Sequence, residues 1–218
     1  MKKVLLLSLL ILFFTGCSRS DASRFKKEYE SLNGTLNSNN QAIREVSIPK
    51  NNPFIYKSAS DIVEMIENKE SFIVYFGFAK CPWCRSVLEN LIKAAEDSNL
   101  KKIYYVDVLE IRDTLKLENG EIVKVSDGEE SYHKLVSLIS NVLSDYTLKE
   151  KDEVKVVGKR IYAPNVVAIK NGKAISMTEG ISKSQNDAYM TLTDEMNKES
   201  YNMFKNVIMQ LETCDDKC

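Results

Sequence analysis

The stretch Phe76–Leu91, FGFAKCPWCRSVLENL, sets two cysteines three residues apart directly after an apolar run and at the head of a helical pattern. No other feature limits the folds open to this chain so strongly. Ser71–Phe78 is almost wholly apolar, β-branched or aromatic, which is the composition of a strand buried on both faces. After it, Cys84, Leu88, Leu91, Ile92 and Ala95 recur at helical spacing. Cys81 therefore falls at the junction of a buried strand and an amphipathic helix. Pro82 suits the first helical position, where its fixed φ helps and its missing N–H costs nothing. A thiol at a helix N-terminus faces unpaired N–H groups and the positive end of the dipole, and both favour the thiolate. Lys80 and Arg85 are expected to add positive charge. Cys84, one turn on, lies on the same face, set deeper, where it can attack a mixed disulfide formed at Cys81.

The pair has other readings. A zinc site normally needs four ligands, and beyond this pair the chain offers a single histidine, His133, and a distant Cys214–Cys218. A structural disulfide and two inert buried thiols are the remaining alternatives. Cys214 and Cys218 read first as a structural disulfide, with a second redox pair as the alternative; Asp215 and Asp216 would raise the thiol pKa values there.

Around the cysteines the chain alternates strands and helices. Phe54–Tyr56 reads as a strand and Lys102–Val108 as another. Ser58 and Asp61 have the spacing of a capping box ahead of Ala59, Ile62, Val63 and Ile66. Asn119-Gly120 within Lys116–Lys124 is a hairpin signal. Leu135, Leu138, Ile139, Val142 and Leu143 outline a helix. Asn165–Lys170 and Lys173–Met177 form a strand pair about Asn171-Gly172, and Phe204, Val207, Ile208 and Leu211 mark a closing helix. The order implies a parallel βαβ unit extended by an antiparallel hairpin, with helices on both faces of a mixed sheet. Between the central strands it places an insertion of one hairpin and one helix. The alternating charges KEKDE at 149–153 read as a solvated surface.

Residues 1–17 begin with Lys2 and Lys3 and continue with an apolar run of about a dozen residues, shorter than the roughly 20 that span a bilayer. The run ends in Phe14-Thr15-Gly16-Cys17, which resembles a bacterial lipobox, with Phe14 where an aliphatic residue is usual. That resemblance implies a signal peptide, lipidation of Cys17 and a domain anchored on the extracytoplasmic face of a bacterial membrane. The alternative is an uncleaved anchor with an incidental cysteine. Residues 18–52 turn polar, with six Asn and Gly34 between Ser31 and Asn52, and read as a tether with a short helix at Ala22–Glu30. Lys plus Arg (30) balances Asp plus Glu (31), which gives nucleic acid no electrostatic footprint.

CPWC opening a helix after a buried strand, the strand order, and a proline just before the strand at Asn165 together resemble the thioredoxin superfamily over about residues 53–212. The lipobox, FGFAKCPWC and APNVVAIKNGK are similar to the thioredoxin-like lipoproteins of low-GC Gram-positive bacteria, the bacteriocin-transport accessory type. The resemblance implies a thioredoxin fold and thiol–disulfide exchange without a cofactor or metal. Its implied partners are protein thiols and disulfides, with a membrane thiol electron transporter as a further one. It makes Cys81 and Cys84 catalytic. It also gives Pro164 a cis bond packed against the cysteines, and has the backbone at Ala163 pair with extended substrate; a simple turn proline is the alternative. Trp83 becomes an apolar lip beside the thiol rather than core filling. One position departs: where thioredoxins carry a buried acid six residues before the first cysteine, this chain has Tyr75. A rival reading keeps the scaffold without the chemistry, as a metal- or partner-binding lipoprotein.

Overall fold

The computed structural model describes residues 20–211; Cys17, Cys214 and Cys218, with the expectations placed on them, lie outside the described residues. The elements run α1 (Asp21–Glu30), β1 (Phe54–Tyr56), α2 (Ala59–Glu67), β2 (Phe72–Gly77), α3 (Pro82–Asp97) and β3 (Ile103–Asp107). Next come β4 (Thr114–Glu118), β5 (Glu121–Ser126), α4 (Glu130–Leu138) and a 3-10 turn at Ser140–Val142. The chain then forms β6 (Asp145–Glu150), β7 (Glu153–Lys159), β8 (Asn165–Lys170), β9 (Lys173–Thr178) and α5 (Asp194–Met209). This is an α/β fold built on a five-stranded mixed sheet of order β1-β3-β2-β8-β9. β3 runs parallel to both β1 and β2; β8 is antiparallel to β2, and β9 to β8.

The two-residue period of the strands divides the core. In β2, Ile73 and Tyr75 face one cluster with Val166 and Ala168 of β8, while Phe72, Val74 and Phe76 face the other with Val167 and Ile169. The first cluster is closed by α1, α3 and α5, the second by α2 and α4. With helices on both faces β2 is buried throughout, which explains its unbroken apolar sequence. The capping box of α2 forms as its spacing predicts: the Asp61 N–H donates to Ser58 Oγ (3.1 Å) and the Ser58 N–H to Asp61 Oδ2 (2.8 Å).

Two features differ from the sequence reading. Residues 20–52 are not a tether. Phe25 and Tyr29 of α1 are fully buried, and Val46 and Ile48 join the same core. Phe25 stacks on Phe54 of β1 (ring centroids 3.9 Å apart) and on Tyr29 (4.4 Å), and meets Tyr105 of β3 edge-on (4.9 Å). The polar residues between are held by side chains: Asn33 Nδ2 donates to the Val46 carbonyl (2.9 Å) and the Val46 N–H to Asn33 Oδ1 (3.1 Å). The insertion between β3 and β8 also contains two hairpins rather than one. The expected pair β4–β5 turns at Asn119-Gly120, both with positive φ (52° and 76°). The second pair, β6–β7, turns at Lys151 (φ 53°), so KEKDE is a hairpin tip as well as a solvated charge run. Arg160, just after β7, ties the insertion together at its base, next to Asp113 just before β4: Nη1 donates to Asp113 Oδ1 and Nη2 to the Asp113 carbonyl, both at 2.7 Å. Among the described residues no helix is long and apolar enough to cross a membrane.

Candidate active site

Cys81 is the N-cap of α3, with Pro82 in the first helical turn. The Cys84 N–H donates to Cys81 Sγ (3.2 Å), and the Cys81 thiol donates to the Ala163 carbonyl (3.3 Å). Both cysteines are free thiols here. The expectation that Cys84 lies deeper agrees with the geometry, since it is fully buried. Cys81 is itself nearly buried, at 3 % exposure. A groove of about 350 Å3 lies beside it, lined by Trp83, Tyr162, Ala163, Pro164, Glu179 and Ile181; Ala163, whose carbonyl accepts from Cys81, is part of that lining. The Ala163–Pro164 bond is cis. Asn165 fixes this turn: the Tyr162 N–H donates to its Oδ1 (2.8 Å), and its Nδ2 donates to the Pro164 carbonyl (3.0 Å). Trp83 is half-buried against the α3 side of the core, so it forms a groove wall and covers core at once. In the same groove, burial alone raises the Glu179 carboxyl above its ordinary value.

The two thiols are pushed in opposite directions. Cys81 is held below its ordinary value, first by the hydrogen bond from Cys84, against desolvation, then by the backbone N–H groups of Cys84 and Trp83 and by the charge of Arg112. Cys84 is pushed well up, first by desolvation and then by its contacts with Cys81; the Phe78 N–H and the Tyr75 hydroxyl oppose this. The arrangement favours the thiolate at Cys81 and the neutral thiol at Cys84.

The cations are not those expected from spacing. Lys80 is exposed on the surface. Arg85 is buried, at 1 % exposure, but its guanidinium is committed to oxygen atoms of the N-terminal segment and the loop before Cys81. It donates to the carbonyls of Arg44 (2.6 Å), Tyr29 (2.9 Å) and Ala79 (3.2 Å) and to Asn33 Oδ1 (2.7 Å). Arg85 thus clasps residues 29–44 to α3, and the cation acting on Cys81 is Arg112, over the Phe78 ring at 5.4 Å. Nothing in the irregular sequence after β3 marked Arg112. Tyr29 was the other omission, although its i,i+4 spacing from Phe25 was a signal for a buried helix face.

Tyr29, Tyr75 and Tyr105 sit together behind the cysteines and carry pKa values well above the ordinary phenol value, in each case first because of burial. Unfolded phenols titrate near pH 10. A raised folded pKa means that this contribution to stability is fully present below that pH and is lost as pH rises through the window above it. Three groups together give a slope of about 4 kcal/mol per pH unit there. Denaturant unfolding followed from neutral pH upward should show a steep loss beginning near pH 10. A flat profile, with phenolate absorbance of all ten tyrosines appearing before unfolding, would contradict the buried assignment.

Among the described residues no group of three or more His, Cys, Asp or Glu side chains is placed to hold a metal ion. No protein-family model matches this chain, and no curated protein matches it in sequence.

Proposed function

We propose that this protein is a thioredoxin-fold thiol–disulfide oxidoreductase acting on protein substrates, anchored by lipid at Cys17 on the outer face of a bacterial membrane. The observation that carries the redox reading is the pair of opposed thiols at the head of α3: Cys81 held towards thiolate with the Ala163 carbonyl against it, and Cys84 held protonated one turn deeper. Supporting it are the strand order, the CPWC helix after the central strand and the groove beside Pro164.

In the reducing direction the Cys81 thiolate attacks one sulfur of a substrate disulfide. An S–S bond forms to Cys81, the substrate S–S bond breaks, and the other substrate sulfur leaves as thiolate. That leaving thiolate takes the proton from Cys84. The Cys84 thiolate then attacks Cys81 Sγ, closes the enzyme disulfide and expels the second substrate thiolate. Two electrons pass from the cysteine pair to the substrate, and the reverse sequence oxidises a substrate dithiol. The groove beside Pro164 would take an extended peptide segment along the Ala163 backbone, with Trp83 and Ile181 as apolar walls.

The test is equilibrium titration of the 81–84 pair against glutathione and dithiothreitol buffers, with turnover of insulin disulfides measured alongside. A reversible two-electron couple with turnover is expected, and its potential sets the physiological direction. A pair that neither oxidises reversibly nor turns over would remove the reading. Intact mass of the membrane-extracted protein checks the anchor: a diacylglyceryl adduct on Cys17 with residues 1–16 absent is expected, and an intact N-terminus without the adduct would overturn it.

A further inference from the structure

Behind Cys84 the site has phenols in the place of a carboxylate. Tyr75 and Tyr29 are both fully buried, and their hydroxyls are 3.3 Å apart. Tyr75 projects from β2 towards α3, and Gly77, two residues on along the same face, leaves room for its tip. A Cβ at position 77 would stand 2.5 Å from the Tyr75 hydroxyl oxygen and 2.6 Å from Cζ, so a side chain there would displace the phenol. Tyr29 reaches the same point from α1, its ring set between Phe25 (4.4 Å) and Tyr105 (6.2 Å). Tyr75 and Cys84 belong to the same buried cluster on one face of the sheet, and each shifts the titration of the other.

We propose that Tyr75 is the hydrogen-bond donor that stabilises the Cys84 thiolate when it forms, and that Tyr29 positions and polarises it by donating to the Tyr75 oxygen. This rests on the redox reading above. A hydroxyl has one proton to give. If Tyr29 donates to Tyr75, the Tyr75 proton is free to point at sulfur, and the two O–H dipoles align in series towards the developing charge. Hydrogen bonds in series polarise one another, most strongly where water is excluded. Neither phenol acts as a base, because burial keeps both neutral. The Cys84 proton goes to the substrate thiolate released in the first exchange, and the tyrosines lower the cost of the charge left on sulfur. The other groups facing Cys84 are Cys81 on α3 and the Arg112 guanidinium from the segment after β3. Tyr105 of β3 packs against the rings of Tyr29 and Tyr75, and the acids Glu28 and Asp107 act on it. The Tyr105 hydroxyl makes no hydrogen bond and lies beside Tyr29, with no action on Cys84 itself, so it serves as the comparison for a phenol one step further from the sulfur.

The experiment is alkylation of Cys84 by iodoacetamide against pH in a Cys81→Ser background, for the parent and for Tyr75→Phe, Tyr29→Phe and Tyr105→Phe. Resolution of a preformed mixed disulfide is then measured in the two-cysteine protein. Tyr75→Phe should raise the apparent pKa of Cys84 by about one unit or more and slow resolution about tenfold, the scale of one hydrogen bond to a charged atom. Tyr29→Phe should shift both in the same direction by less, and Tyr105→Phe should shift neither. Each variant keeps its ring, and Tyr29→Phe reads the same chain if Tyr75→Phe does not fold. An unchanged Cys84 titration in Tyr75→Phe, or an equal shift in Tyr105→Phe, overturns the proposal. Absence of insulin turnover in the unaltered protein would instead strike the redox reading, and the Cys84 titration would still decide the tyrosine donors.

Discussion

Cys84→Ser is expected to accumulate mixed disulfides with substrate proteins at Cys81, while Cys81→Ser traps nothing. Both variants should lose turnover by on the order of a thousandfold or more, the scale on which removing a covalent nucleophile acts. The asymmetry follows from the site. Cys81 accepts the Cys84 N–H and lies next to Trp83 and Ala163 of the groove wall, whereas Cys84 is fully buried and pushed towards the neutral thiol. Without Cys84 the first exchange still runs, but nothing remains to attack the mixed disulfide. Without Cys81 no sulfur meets the substrate. Non-reducing gels with peptide mapping of the adducts read the result directly. Trapping through Cys84 in the Cys81→Ser variant would reverse the assigned roles. The alkylation profile of the reduced, unaltered protein gives a second reading: Cys81 should react at pH values below those of an ordinary thiol, and Cys84 last.

How far such a site can be read from sequence depends on whether the determinants are local. Pro82 after Cys81 and the apolar run ahead of them are neighbours in the chain, so the cap of α3 and the buried β2 were legible. The assignment of alternate β2 and β8 residues to the two core faces came only with the structure, because an unbroken apolar run shows burial on both faces but not which helices cover each. Arg85 shows the limit. Its position beside the CPWC helix start suggested a cation for the thiol, yet its hydrogen bonds go to Tyr29, Asn33 and Arg44, more than 40 residues away in sequence. Only tertiary packing decides which oxygen atoms a buried guanidinium finds. Arg112 reaches the site by the same kind of contact and left no local trace. The second hairpin was missed although Val154-Lys155-Val156 alternates as a strand does: β6 and β7 bury little, both valines are exposed, and the charged tip reads as solvated surface. In residues 20–52 the apolar residues are few and widely spaced. A composition-based reading saw asparagine and glycine and missed that Phe25, Tyr29, Val46 and Ile48 all turn inward.

That segment therefore carries a prediction about stability that a tether would not. Phe25→Ala should destabilise the whole domain by about 3–5 kcal/mol, the usual cost of deleting a buried aromatic ring. The ring removed is stacked on Phe54 and Tyr29 and edge-on to Tyr105, so three elements lose contact at once. Leu36→Ala, at a side chain 60 % exposed in the same segment, should change stability by no more than about 0.5 kcal/mol. Denaturant unfolding of both variants measures the difference, and equal midpoints would return residues 20–52 to the role of a passive spacer. The consequence reaches the chemistry, because α1 carries Tyr29 and Arg85 holds the carbonyls of Tyr29 and Arg44 against α3. If α1 loosens, the hydroxyl beside Tyr75 moves with it. Phe25→Ala, assayed under conditions where the domain stays folded, should then shift the Cys84 titration in the same direction as Tyr29→Phe, which ties the N-terminal segment to the cysteine pair through a single pair of phenols.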